Sequence, residues 1–309
     1  MNVLVTGGAG YVGSVLCPML LREGYRVTVL DRLLFGGRGI LPCFESRHFR
    51  IVRGDIRSEA TLIESLEGVD MVIHLAALVG YPICKKHPNE AEEVNLGATV
   101  LLNQLRGRSI PMLYASTGSN YGAVADEMCT EETPLHPLTT YGRTKTRAEM
   151  VTMEVGNAIS YRFATAFGLS NRLRLDLLPN DFCYRAKIQK NLIVYEKNFK
   201  RTFIHVRDMG RAFLHGIKNF DAMKDRVYNV GDESMNYTKE DIALKIRERI
   251  DFYLHFAEIG KDEDQRDYEV SYDRIRSTGF RTGISMDEGL DELLRAMTAV
   301  EIQSEYSNV

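Results

Sequence analysis

Tyr141 and Lys145 stand four residues apart in YGRTK, a spacing that places both on one face of a helix. A lysine ammonium beside a phenol favours the phenolate. It brings a group that ordinarily titrates near about 10 toward working pH, where the group can serve as a general base. The same spacing occurs on ordinary surface helices, so the pair gains meaning only from its company. Ser116-Thr117 ends an apolar run and offers a hydroxyl that could orient a substrate alcohol. A third element opens the chain, where Gly7, Gly10 and Gly13 follow the short apolar run Asn2 to Thr6.

Each of those glycines has a task in a dinucleotide site. Gly7 makes the tight turn out of a strand, Gly10 lets a pyrophosphate approach the backbone, and Gly13 lets the next helix pack closely on the sheet. The helix N-terminus then faces the phosphates. Val12, Val15, Leu16, Met19 and Leu20 supply its apolar face, and Asp31 ends the next strand, Arg26 to Leu30. Strand, glycines, helix and a later acid form a specific pattern, whereas a glycine triplet alone is a weak one. A carboxylate at Asp31 accepts hydrogen bonds from the adenosine ribose and repels a 2′-phosphate, which favours NAD. The adjacent Arg32 could accommodate that phosphate, and an Asp after a strand is also a common cap.

The elements that must hold these residues recur in order. Phe49 to Arg53 reads as a third strand leading to Gly54-Asp55-Ile56. Asp55 could take the adenine amino group and Ile56 the ring face, or Asp55 could cap the helix starting near Ser58. Met71 to Leu75 is a fourth strand running into the small residues Ala76 and Ala77, beside which a cofactor backbone can lie. His74 sits inside that apolar strand and reads as a core histidine. Pro111 to Ser116 and Ala158 to Phe163 complete six leading strands, with a helix carrying Asn95 and another starting at Tyr141 between the later ones. Beyond Gly168 the alternation breaks down. NRLRLDLLPND (171–181) is mixed basic and apolar, a helix is expected over Asp181 to Gln189, and strands over Arg201 to Val206 and Val227 to Val230. Thr238-x-x-Asp241 signals a capped helix reaching Ile250. The expected fold is α/β, a doubly wound parallel sheet of Rossmann type over residues 1–167, with 203–231 returning to it. A smaller α/β substrate-binding lobe takes 168–202 and 232–309.

Composition narrows the class further. With 39 basic and 42 acidic residues the net charge is −3, which gives no footprint for nucleic acid or a membrane surface. The apolar run at the N-terminus is too short for a signal peptide, and no run approaches spanning length. Five scattered cysteines without a CxxC pair fit reduced thiols in a cytoplasm and argue against a zinc or other metal site.

TGGAGYVGS, Asp31, Gly54-Asp55-Ile56, HLAALVG, Asn95, STGSNYG and YGRTK resemble, in order and spacing, the motifs of extended short-chain dehydrogenases/reductases. RFATAFG and RTFIHVRD continue the likeness, which is to the nucleotide-sugar epimerase/dehydratase family and covers nearly the whole chain. LVGYPICKKHP, MCTEETPLHP and RFATAFGLSNRLRLDLLPNDF are most similar to its GDP-heptose 4-dehydrogenase branch. The resemblance implies NAD as cofactor and oxidation at C4 of a nucleotide-activated sugar, ending in a released 4-keto sugar or, after hydride return, in an epimer. Tyr141 would deprotonate the hydroxyl, Lys145 would bind the nicotinamide ribose, and Thr117 would hold the sugar oxygen. Tyr11 and Val12 would cover the pyrophosphate, with Leu75, Ala76, Ala77, Asn95 and Ala164 lining the cofactor cleft. Asn180 and Thr165 would meet the substrate, and Arg201 its diphosphate through a bidentate fork; Arg201 could equally be a surface charge at a strand end. Arg266 is a second candidate for the phosphate. A homodimer through the helices around Asn95 and Tyr141 to Met153 is also implied.

Two departures from the family pattern carry information. Gly118 and Ser119 stand where dehydratases have an Asp–Glu pair, and neither can act as a carboxylic acid, which argues against 4,6-dehydration. Thr165 stands where many epimerases have a substrate-binding Asn, so the sugar contact there must differ. The competing class is a non-catalytic sensor of NAD or a sugar nucleotide, which would have no use for Thr117, Tyr141 and Lys145 in register.

Overall fold

Seven short apolar runs pair into one parallel sheet in the computed structural model, which describes residues 1–122, 128–258 and 269–300. In chain order they are β1 (Asn2–Thr6), β2 (Arg26–Asp31), β3 (Phe49–Arg53), β4 (Met71–His74), β5 (Met112–Thr117), β6 (Ala158–Phe163) and β7 (Arg226–Val230). Their spatial order is β7-β6-β5-β4-β1-β2-β3, and every pairing is parallel. Val3, Leu4 and Val5 are all buried although they point to alternate faces, as expected when helices cover both sides of a parallel sheet. One apolar layer joins Val3 and Val5 to Leu16, Phe213 and Tyr161; the other joins Leu4 to Leu62, Leu102 and Tyr114.

The helices on those faces are α1 (Gly13–Arg22), α2 (Glu59–Leu66), α3 (Ala98–Arg106), α4 (Thr140–Val155) and α5 (Val206–Lys218). Ser58 caps α2 by accepting from Thr61 N, and Thr139 caps α4 by accepting from Gly142 N at 3.0 Å. The strand order reverses between β1 and β4, so the chains leaving their carboxyl ends diverge and open a crevice there.

The remaining chain builds a second core around Phe167, Phe203, Ile242, Leu290 and Leu293. Strands Thr165–Phe167, Lys200–His205 and Asn236–Thr238 form a three-stranded sheet, and Asn191–Tyr195 pairs in parallel with Tyr253–Ala257. Of the stretch 203–231, β7 enters the main sheet and α5 packs on α1, whereas residues up to His205 lie in the three-stranded sheet. The helix expected from Asp181 starts earlier, at Leu178, and passes from α to π geometry over Arg185–Gln189. Pro179 explains the early start, because the first helical turn needs no N–H at that position. Thr238 and Asp241 form the expected capping box, and that helix ends at Arg247.

Candidate active site

The crevice at the reversal is a cleft of about 320 Å³. Gly7 turns out of β1 with φ +70°, and a Cβ there would lie 2.7 Å from the Ala76 backbone. A Cβ at Gly10 would meet only the Gly7 carbonyl, at 3.1 Å, so the backbone faces open space where a phosphate can approach. Gly13 packs against the loop rather than the sheet, since its Cβ would fall 2.4 Å from Gly8 O. The close helix–sheet approach expected of Gly13 belongs to Gly8, whose Cβ would meet Val29 at 2.5 Å and Cys17 Sγ at 3.2 Å.

Asp31 lines the cleft and accepts from Ala9 N at 3.0 Å and Leu33 N at 2.8 Å. Burial raises its pKa while those two N–H groups oppose the rise. Arg32 also lines the cleft, paired with Asp55 at 3.4 Å and Glu90 at 3.0 Å. Asp55 is not among the cleft-lining residues; its carboxylate is held by Arg57 at 2.8 Å, an ion pair that lowers its pKa. Ile56, Leu75, Ala76, Ala77, Tyr11, Val12 and Ala164 do line the cleft.

Polar side chains of the surrounding strands and turns fix these walls. His74 bridges Thr6 Oγ1 at 2.6 Å and Thr99 Oγ1 at 2.9 Å, and burial lowers its pKa to about 3, so it is a neutral core histidine. Asn95 sits in a π-helical turn, Glu92–Gly97, just before α3. Its amide accepts from Leu78 N at 2.7 Å and donates to Leu78 O and Thr144 Oγ1, each at 3.1 Å. It therefore holds cleft-lining Leu78 without lining the cleft itself.

The reactive groups meet from β5 and α4. Ser116, Thr117, Ser119, Tyr141 and Lys145 all line the cleft. Thr117 Oγ1 accepts from Ser119 N and donates to Ser119 Oγ, both at 3.2 Å, which fixes the turn that the family's acid pair would occupy. Lys145 is 2% exposed, with Nζ 4.0 Å from the centre of the Tyr114 ring. Burial lowers its pKa to about 7, opposed by Glu149 one turn on. Glu149 is itself paired with Arg162 at 2.7 Å and accepts from Ser160 Oγ at 2.9 Å. A lysine poised between charge states beside a tyrosine of the same face is an arrangement for proton transfer.

The substrate candidates divide. Thr117 and Thr165 line the cleft. Asn180 is buried outside its lining: it accepts from Gly168 N at 2.9 Å and donates to Arg174 O at 2.9 Å, so it braces two loops. Arg201 is buried opposite Tyr237 in the three-stranded sheet, also outside the cleft lining. Arg266 lies outside the described residues. The cleft also gains Phe35, Gly80, Tyr81, Arg172 and Arg174, which the sequence reading left out. Arg174 is paired with Asp176, Nε to Oδ1 at 3.2 Å. Arg172-x-Arg174-x-Asp176 was the available signal, an alternation of charge inside an apolar stretch. Among the described residues, no group of three or more His, Cys, Asp or Glu could hold a metal ion, and no helix is long and apolar enough to cross a membrane.

A parallel sheet whose switch-point cleft joins a glycine loop, Asp31 and a Tyr–Lys pair defines an NAD-dependent enzyme of the Rossmann class. The comparisons with known proteins agree. The sequence pattern of the NAD dependent epimerase/dehydratase family matches residues 3–231, and the chain belongs to that family. It is 30% identical to a UDP-glucose 4-epimerase of Corynebacterium glutamicum over 278 residues, 80% of each protein. MoeE5 in complex with UDP-glucose and NAD superposes with a TM-score of 0.83 at 26% identity, covering 97% of this chain and 99% of that one. The fold is also that of a Thermus thermophilus UDP-glucose 4-epimerase in complex with NAD, with a TM-score of 0.84 at 23% identity over 97% and 100% of the chains.

Proposed function

We propose that the protein is an NAD-dependent 4-epimerase of a UDP-linked sugar. The observation that carries this reading is the likeness to the C. glutamicum UDP-glucose 4-epimerase across four-fifths of both chains, joined to a cleft that collects Thr117, Tyr141 and Lys145. Gly118 and Ser119 support it by leaving no acid pair for water loss.

Bound NAD supplies the hydride acceptor, for which Gly7, Gly10, Asp31 and the small residues Ala76 and Ala77 provide the cradle. Tyr141 takes the proton of the C4 hydroxyl as the carbon–hydrogen bond breaks, and Lys145 stabilises the phenolate electrostatically. Thr117 donates a hydrogen bond to the sugar oxygen and keeps it in line. Once the 4-keto sugar had turned over and presented its other face, Tyr141 would return the proton to the C4 oxygen. Thr165 meets the sugar with one hydroxyl in place of an amide. The proposal extends to a cytoplasmic homodimer, for which Met150, 63% exposed on α4, offers an apolar contact.

A second reading, GDP-heptose 4-dehydrogenase, is favoured by one observation. The stretches that resemble that branch supply Val79, Gly80, Tyr81, Arg172 and Arg174 to the cleft wall. Incubation with UDP-sugars and GDP-heptose, with and without a reducible keto-acid, separates the two. Formation of an epimer without net NADH is expected; stoichiometric NADH with a 4-keto product would replace the epimerase by the dehydrogenase. Tyr141→Phe is expected to lower turnover by about 10²- to 10⁴-fold with NAD still bound. Unchanged turnover in that variant would remove the catalytic assignment.

A further inference from the structure

The loop after strand Thr165–Phe167 is tied to the start of α1. Tyr11 Oη donates to Gly168 O at 2.7 Å, and Ser170 Oγ donates to Tyr11 O at 2.7 Å. Ser14 and Ser170 hydroxyls lie 2.7 Å apart, and Arg172 N donates to Ser14 Oγ at 3.2 Å. These bonds aim Arg172 at the loop beyond Asp31, where its guanidinium lies 3.8 Å from the centre of the Phe35 ring. Gly39 permits the approach, because a Cβ there would fall 2.9 Å from Ser14 Cβ and 3.0 Å from Arg172 Cβ. Phe35 is 41% exposed, while Arg172 is 4% exposed. A large ring is thus left at the surface with a desolvated cation on its face. Both residues line the cleft at the end marked by Asp31, Leu33 and Leu34.

We propose that Phe35 and Arg172 form a clasp that closes over the adenosine end of bound NAD and sets how long the reduced cofactor stays on the protein. The inference rests on the epimerase reading, because hydride must return to the sugar that lost it, and NADH must remain bound through that interval. The dinucleotide's adenosine end is the one Asp31 marks, so the cofactor leaves past these two side chains. Loss of a desolvated guanidinium–ring contact corresponds to about a three- to thirty-fold faster dissociation.

The test loads the full-length protein with NADH, chases it with excess NAD, and follows the decay of bound NADH fluorescence. Phe35→Ala and Arg172→Gln are each expected to release NADH about three- to thirty-fold faster. Phe35→Tyr, which keeps the ring face, is expected to release it at the wild-type rate. The double variant is expected to be no faster than the faster single, because one contact is lost only once. Wild-type release from either single, multiplied effects in the double, or fast release from Phe35→Tyr overturns the clasp. No sugar is present, so a negative result leaves the epimerase reading standing, and failure of the sugar assay leaves this measurement intact.

Discussion

Replacing Lys145 by methionine should stabilise the apoprotein while abolishing its activity, and the gain should depend on pH in a defined direction. Lys145 is almost wholly buried, and burial lowers its pKa from 10.5 to about 7. Below about pH 7 both folded and unfolded chains carry the charge, so the folded state bears the whole burial penalty. Between about pH 7 and 10.5 the unfolded chain binds the extra proton, and stability rises with pH. The fall in pKa corresponds to a ceiling of about 5 kcal/mol at acid pH. Methionine removes that penalty but gives up the cation–ring contact with Tyr114, worth about 0.5–2 kcal/mol, which leaves a net gain of roughly 3 kcal/mol. For a chain of this size that is a rise of about 5 °C in Tm near pH 6. Above about pH 7 the gain should shrink by about 1.4 kcal/mol per pH unit. Thermal unfolding of both apoproteins between about pH 6 and 9 reads this directly. A loss of stability at pH 6, or a difference that does not change with pH, would refute the argument that Lys145 is held at the cost of the fold.

Two further variants test the supports of the site. Tyr114→Leu removes the ring under Lys145 and should move the acid limb of the kcat/KM–pH profile upward, because a more readily neutralised lysine supports the Tyr141 phenolate less. Tyr114→Phe keeps the ring and removes a buried hydroxyl that has no hydrogen-bond partner among the described residues, so its profile should overlay the wild type. Asn95→Ala strips Leu78 of its amide partners and should cost about 1–3 kcal/mol of stability; it should also raise the KM for NAD, since Leu78 forms part of the wall. An unaltered melting curve would count against that bracing role.

The residues legible in the sequence were those whose role is set locally. Gly7 and Gly10 act through their own backbone and their immediate neighbours, and Tyr141 and Lys145 share a face through helix geometry alone. The family resemblance places Asn95 in the cofactor cleft and Asn180 at the substrate, by position in the motif rather than by any local signal. Their partners are groups that only the folded chain brings close: Leu78 and Thr144 for one, Gly168 and Arg174 for the other. Asp55, which the sequence offers as an adenine contact or a helix cap, has its carboxylate paired with Arg57 two residues on and lies outside the cleft lining. Arg172 and Arg174 escaped notice because the path of their loop is dictated by hydrogen bonds to Tyr11 and Ser14, about 160 residues earlier in the chain.

That loop makes the two lobes one device. It begins at Gly168, whose carbonyl receives Tyr11, passes Arg172 on the Phe35 ring, and reaches Arg174, near Gly80. Tyr11 and Val12 lead into α1, so the loop is bonded to the start of the helix that follows the glycine turn. Burial pushes the Tyr11 phenol well above its ordinary pKa, so it remains a donor throughout the accessible pH range. Tyr11→Phe would leave Gly168 O with Asn180 Nδ2, at 3.4 Å, as its remaining donor, a loss of about 1–3 kcal/mol. If the loop couples the lobes, the loss should appear twice: as a lower Tm without ligand, and as a smaller rise in Tm when NAD is added. A variant that melts earlier yet gains as much from NAD as the wild type would mean that Tyr11 braces the fold without serving the cofactor.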